Sequence, residues 1–457
     1  MDNRLALFDE GMVRSLKATG RMQAMQCVWV YQRPIDMEGV RRFHRNFGYG
    51  IAGRRIERSP LPFGRYRWVS TPGPASPLEI FDTPIPREDL NDWIDIRSQI
   101  HVDAEDGPGW HIAVQPLSDG ATAVCVVGTH CLADGVGAAL AVWAAVIDNK
   151  IDIGYPPPVS RRTRRALVAD LKDTVRELPA AGRAAAKLVR LVREGAKAAD
   201  NQKPGSTPAK KKEFVGPDEP VVMPWASVWI EPALWDERAR ALGGNTYALL
   251  AGIAARLGER LDRRGHDGEV TLLIAMADRG DKDYRANAMS LISVKVDPTP
   301  VAKDLTAARA TVREAIKTTK EAPNPLLEVL PLVPLLPRKA IRLLADTIVG
   351  ADDLPVTCSN LGVMPEALTS VDGAPADFTV FRGVDQGLTR SFLELAGGHL
   401  VVVSVLVGGK INIGVEAYQP GAENSKARLR ELVADTLAEF ELTGEDRVAG
   451  RLMTDRG

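Results

Sequence analysis

ATAVCVVGTHCLADGVGAAL, residues 121–140, is the stretch on which the reading of this chain turns. Val124, Cys125, Val126 and Val127 are short, apolar and mostly β-branched. The turn signal Ser118-Asp119-Gly120 precedes them, so the pattern predicts a buried strand. From Val136 onward, Val136, Leu140, Trp143 and Ile147 recur at helical spacing and predict an amphipathic helix. Between strand and helix, a tight turn carries His130, Asp134 and Gly135. An imidazole titrates near neutrality, and the end of a buried strand fixes its direction, so His130 is the candidate general base. Asp134 either orients the histidine, anchors the turn through an arginine, or caps the helix. Gly135 lets the backbone turn where a side chain would clash. Cys131 invites a cysteine–histidine pair, but neighbours on an extended strand point to opposite faces, and a small buried hydrophobe is the better reading.

The chain around this turn has 457 residues, more than one ordinary core, so two domains and a connection are expected. A hydrophobic fraction of 45% and a charged fraction of 26% are those of a soluble globular protein. With a net charge of −1 and no basic stripe interleaved with aromatics, nothing points to nucleic acid. Cys27, Cys125, Cys131 and Cys358 show no metal or redox spacing, which suits a reducing cytoplasm; no metal site is expected. The N-terminus has early acids and no continuous apolar core, so it does not read as a signal peptide. No apolar run approaches the roughly 18 residues of a transmembrane helix, leaving at most peripheral membrane contact.

Taken in order, 23–32 reads as a strand, and 36–49 as a helix with Val40, Phe43 and Phe47 on one face. Residues 110–116 pair with 121–127 as a hairpin. From 161 to 213 there are 15 Lys/Arg against 6 Asp/Glu. Leu167, Leu171, Val175 and Leu178 mark one helix face there, and Leu188, Val189 and Val192 begin another. Residues 201–212 read as a mobile linker. The excess charge is either the solvated face of a connecting helix or a dock for an anionic headgroup, an acidic carrier protein or a phosphorylated cofactor. In the second half, strands are expected near 221–230, 270–276, 289–296 and 356–362. A hairpin of 399–407 with 410–417 follows, and helices are expected at 232–263, 305–321 and 426–440. The proline-broken apolar run 326–336 is a buried loop or a lipid-facing lip. Strands and helices mix in both halves, so the class is α/β (α+β). The expected division is 1–157, a basic crossover with its linker at 158–215, and 216–457.

The hairpin followed by T-H-C-L-A-D-G resembles the active-site segment of thioester-dependent acyltransferases, whose motif is HHxxxDG. The segments Pro60-Leu61-Pro62-Phe63-Gly64-Arg65 and Trp68-Val69, then Asn245, the unit from Arg279 to Asn287, and Ser359-Asn360-Leu361-Gly362 are similar in order to the bacterial wax ester synthase/diacylglycerol acyltransferase branch. That resemblance implies two chloramphenicol-acetyltransferase-like sandwich subdomains with a tunnel at their interface. It implies acyl-CoA, or an acyl carrier protein, as donor and a lipid or apolar alcohol as acceptor, with no permanently bound cofactor. It implies a cytoplasmic enzyme with peripheral membrane or lipid-droplet contact. His130 matches the catalytic histidine; Asp134 matches an aspartate held by an arginine, with Arg279 the candidate and Arg285 the alternative. Ser359 and Asn360 match the strand lining the centre, and Asn245 and Asn287 match polar positions expected to cap or shape loops. Thr129 stands where the motif has its first histidine. That departure leaves open a changed acceptor or a non-catalytic relative that binds lipid or a protein partner.

Overall fold

The computed structural model describes residues 2–161, 163–201, 214, 216–280, 282–321, 325–349, 354–448 and 451–452. Its strands are β1 (Met22–Tyr31), β2 (Arg54–Glu57), β3 (Arg67–Ser70), β4 (Glu79–Ile80), β5 (Trp110–Pro116), β6 (Thr122–Thr129), β7 (Trp225–Ile230), β8 (Val270–Ala277), β9 (Met289–Val296), β10 (Val356–Val363), β11 (Phe378–Gln386), β12 (His399–Val407), β13 (Lys410–Tyr418), β14 (Glu445–Asp446) and β15 (Arg451–Leu452). They form a five-stranded sheet, β11-β1-β6-β5-β4, an eight-stranded mixed sheet, β15-β14-β7-β13-β12-β10-β8-β9, and the small pair β2-β3. The two large sheets are therefore not the two halves of the chain. β11, from the second half, pairs antiparallel with β1 along its length, Gln23 opposite Asp385 and Val30 opposite Phe378.

The helices are α1 (Leu7–Thr19), α2 (Met37–Phe47), α3 (Leu90–Ser98), α4 (Gly135–Val146), α5 (Thr163–Asn201), α6 (Pro232–Ala241), α7 (Thr246–Arg260), α8 (Thr306–Glu321), α9 (Arg338–Val349), α10 (Arg390–Leu395) and α11 (Lys426–Glu439). Alternation sorts the first sheet into two faces. Cys27, Trp29, Tyr31, Val124 and Val126 point to one core, where α2 seats Val40, Phe43 and Phe47. Ala24, Val28, Val30, Cys125 and Val127 point to the other. The Trp110 ring meets Phe47 edge-on at 4.9 Å, which ties α2 to β5. Asp36 caps α2 by accepting from Glu38 N at 2.9 Å.

Three helices differ from the periodic reading. α4 buries Ala139, Val142 and Ala145, whereas Leu140 and Ile147 are exposed. α5 is one continuous helix as far as it is described, and the predicted stripe Leu167, Leu171, Val175 and Leu178 faces outward. Its inward face is acidic. Asp170 accepts from Arg161 at 2.7 Å and from Arg67 at 3.1 Å, and Glu177 pairs with Arg4 at 2.8 Å and Arg65 at 3.0 Å. Periodicity locates a stripe but not its neighbour; here arginines in the N-terminal half select the acids. The linker reading for 202–213 lies outside the described residues. The long helix expected at 232–263 is two helices, α6 and α7, because Gly243 takes a φ of 72°, a conformation that breaks helical continuity. Among the described residues, no helix is long and apolar enough to cross a membrane.

Candidate active site

Sheet hydrogen bonds continue past the end of β6 and aim its last residues. Thr129 N donates to Gly109 O at 2.9 Å and His130 N to Gln23 O at 2.8 Å. Buried Thr129 then accepts from Cys131 N through its hydroxyl at 3.3 Å, which ties the turn together. Cys131 packs beside Trp110 and Leu132, and burial pushes its thiol up to about 12, so it supplies no thiolate at neutral pH.

The hydrogen bonds of Asp134 go to groups other than the histidine. Its Oδ1 accepts from Gly137 N at 2.7 Å, capping α4, while Oδ2 accepts from Arg279 Nη2 at 2.9 Å and from Ala288 N at 2.8 Å. Both charged side chains are under 10% exposed. Arg279 also donates to the carbonyls of Asp283, Arg285 and Ala286, so one guanidinium ties the 279–288 loop to the turn. Arg285 pairs instead with Asp283 at 2.6 Å. A Cβ at Gly137 would press to 3.1 Å on both Ala133 Cβ and Arg279 Nη2, and one at Gly135 would meet the end of the Leu361 side chain at 2.8 Å, so glycine keeps the turn close to both neighbours.

The imidazole itself is served by a residue expected only to shape a loop. Asn287 gives its backbone N–H and side-chain N–H₂ to Asp9 Oδ1 at 2.9 and 3.1 Å, which leaves its amide oxygen buried and unpaired. His130 Nδ1 is likewise buried and unpaired. Burial holds the imidazole below the ordinary 6.5, outweighing the pull of Asp134, of its own backbone and of the Asn287 amide beside the ring. The ring is therefore neutral at pH 7. Asp9 accepts from Ala286 N at 2.9 Å as well, and burial raises its own pKa. Arg54 reaches the same loop, donating to Tyr284 O and to Leu132 O at 2.7 Å while stacked 3.9 Å over Trp68.

His130 opens on a cavity of about 490 Å³ lined from both large sheets, mostly by apolar side chains such as Met25, Phe47, Val142, Leu291 and Phe381. That volume suits a small organic ligand or a chain. Asp134, Gly135, Ser359 and Asn360 line it too, whereas Asn245 stands away from it as the N-cap of α7, accepting from Ala248 N at 2.9 Å. Asn360 Oδ1 accepts from Gly362 N at 2.8 Å at a bulge in β10. On β11, Gly383, the register partner of Met25, removes a side chain where a Cβ would meet nothing within 4 Å. Sequence reasoning missed Asp9, Arg54 and all of β11. A glycine inside the otherwise strand-like FTVFRGVDQ was the available signal for Gly383; an acid buried on an N-terminal helix leaves none.

The sequence matches no protein-family model and none of the curated proteins. Solved structures share the fold across almost the whole chain. The first condensation domain of the calcium-dependent antibiotic synthetase, in complex with a substrate analogue, superposes with a TM-score of 0.56 at 14% identity, covering 96% of each chain. The wax ester synthase/diacylglycerol acyltransferase of Marinobacter aquaeolei VT8 gives 0.52 at 14% identity, covering 96% of this chain and 98% of that one. A trichothecene 15-O-acetyltransferase from Fusarium sporotrichioides gives 0.56 at 11%, covering 98% and 95%. The fold is that of the condensation-domain and wax ester synthase group, two sheet-and-helix lobes around a shared cavity.

Proposed function

We propose that this protein is an acyltransferase that moves an acyl group from a thioester to a hydroxyl, with His130 as general base. The observation that carries the reading is a neutral imidazole, with the Asn287 amide beside it, at the wall of an apolar cavity between two lobes. The acceptor oxygen bonds to the thioester carbonyl carbon as His130 Nε2 takes its proton, and the carbonyl electron pair moves onto oxygen. Collapse expels the thiolate, which recovers the proton from the imidazolium, giving ester and free thiol. In this reading the N-terminus of α4 at Gly135, with Ser359 and Asn360, stabilises the oxyanion; all three residues line the cavity. Asp134 and Arg279 position the turn through their ion pair.

Acyl-CoA is the donor in this reading, and a lipid or apolar alcohol is the acceptor, giving wax-ester or triacylglycerol-type products. The apolar lining favours a chain, and the fold likeness to a wax ester synthase supports it. The test is thiol release from long-chain acyl-CoA with a fatty alcohol or diacylglycerol, products read by mass spectrometry. Turnover that survives undiminished in His130→Ala overturns the mechanism.

A carrier-protein thioester is the second reading, favoured by the condensation-domain likeness and by exposed Lys172, Arg176 and Arg183 on α5. Changing these three to glutamate abolishes transfer from a carrier but spares transfer from CoA if that reading is right.

A further inference from the structure

The cavity has a second polar wall, whose Asp385 reaches His130 only as the least of several charges and dipoles that favour its protonated form. Asp385 on β11, His399 on β12 and Glu416 on β13 all line it, brought together because β11 leaves its own half to join the first sheet. Gln23 is the register partner of Asp385 and also accepts the His130 backbone N–H, so Asp385 and His130 stand in one row across three strands. Two strand spacings separate them, roughly 10 Å at the backbone. Gln23 lies between them in that row, and Gly383, two residues before Asp385 on β11, presents no side chain to the cavity.

The three groups are under-used. His399 Nε2 is buried with no hydrogen-bond partner, 3.5 Å from Asp385 Oδ2. Glu416 has Arg382 Nη1 at 3.7 Å as its nearest cation. That guanidinium is already committed, donating to Gln26 Oε1 at 2.7 Å and Asp95 Oδ1 at 3.0 Å and lying 4.4 Å over the Trp225 ring. Arg263, the other cation near His399, donates to the carbonyls of Leu354, Pro355 and Gly397. Asp385 and Glu416 thus dominate this wall, and the one Arg382 nitrogen not spent on Gln26 or Asp95, Nη1, faces Glu416 at 3.7 Å. A hydroxyl or an ammonium would meet acceptors whose capacity is otherwise wasted in an apolar surround.

We propose that Asp385, His399 and Glu416 form a subsite for a hydroxyl or ammonium group carried on an apolar chain, far along the cavity from the reacting atom. The proposal rests on the acyl-transfer reading for which substrate carries the group, but not for the binding itself. The acceptor and the acyl donor are both able to present it, and matched ligands separate them. Burial pushes Glu416 up to about 8, so it holds a proton at pH 7. An ammonium ligand would drive that proton off, whereas a hydroxyl would not.

The test is equilibrium titration calorimetry on the intact protein with alkanols, α,ω-diols and ω-amino alcohols of six to twelve carbons, in buffers of different ionisation enthalpy. Acyl-CoA and ω-hydroxyacyl-CoA form the donor arm. At one chain length the diol or amino alcohol should bind at least tenfold more tightly than the alkanol, or the hydroxyacyl thioester than the plain one. Asp385→Asn with Glu416→Gln should bring that ratio near parity, and the amino alcohol should release a proton only where Glu416 is present. His399→Phe is the second variant, with native circular dichroism required of each. Equal binding of every matched pair overturns the subsite, as does a preference that survives the substitutions. The preference should persist in His130→Ala, so loss of the subsite and failure of the catalytic reading are separate outcomes.

Discussion

Two histidine–acid pairs face one cavity, and they are built in opposite ways. His130 and Asp134 lie four residues apart, yet the aspartate gives its carboxyl to Arg279, Gly137 N and Ala288 N. His399 and Asp385 lie on different strands, yet their side chains approach to 3.5 Å. Closeness in sequence produced an acid that holds a loop. Closeness in space produced an acid that faces a histidine. A His-x-x-x-Asp spacing is thus evidence for a fixed turn, and what the aspartate does depends on which cation reaches it first.

The sharpest break between the pairs is catalytic. His130→Ala should lower kcat/KM for thiol release by about 10²–10⁴, the range for losing a general base. His399→Ala should change it by less than tenfold and act mainly on which acceptor is preferred. Equal losses would abolish the distinction.

The acids should separate by stability. Asp134→Ala leaves buried Arg279 unpaired and should cost about 3–5 kcal/mol in denaturant unfolding. Asp385→Ala removes only a 3.5 Å contact to an imidazole that burial keeps largely neutral, and should cost about 1 kcal/mol or less.

A pH series sharpens the comparison. Glu416 is raised from 4.5 to about 8, so between those values the folded state holds a proton that the unfolded state has released. Its contribution to stability is full below pH 4.5, falls as pH rises toward 8, and is flat above, a total on the order of a few kcal/mol. Glu416→Gln should flatten that segment of the unfolding profile. His130 works in the opposite direction. Its pKa is lowered, so the acid limb of kcat/KM should lie below pH 6.5 and activity should hold on the neutral side.

The smallest expected effect tests the cavity floor at Gly383. Gly383→Val fills open space in an extended strand, so its cost to stability should be under about 1 kcal/mol. Turnover of long-chain substrates should nonetheless fall roughly tenfold, about 1.4 kcal/mol in the barrier. Unchanged chain-length preference would mean that substrate does not cross this floor.

Legibility followed how local the cause was. The hairpin of β5 and β6, the hairpin of β12 and β13, and helices α2 and α11 stand where alternation and capping placed them. Those patterns are set by neighbours a few residues away. β11 was invisible because its Arg382, Gly383 and Asp385 break the apolar alternation, each for a reason that lies on another strand. Asn287 was read as a loop residue, and its place beside His130 depends on Asp9, 278 positions earlier.

The sequence alone determined the two hairpins, helices α2 and α11, the turn with its histidine and the mixed α/β class, because hydrophobic period and turn residues act within a single segment. Only the tertiary structure decided which stripe of α5 faces the body, that Asn287 rather than Asp134 serves the imidazole, and that Asp385, His399 and Glu416 meet. Those outcomes depend on desolvated charges and amides finding partners across the chain, and no local spacing records which partner arrives.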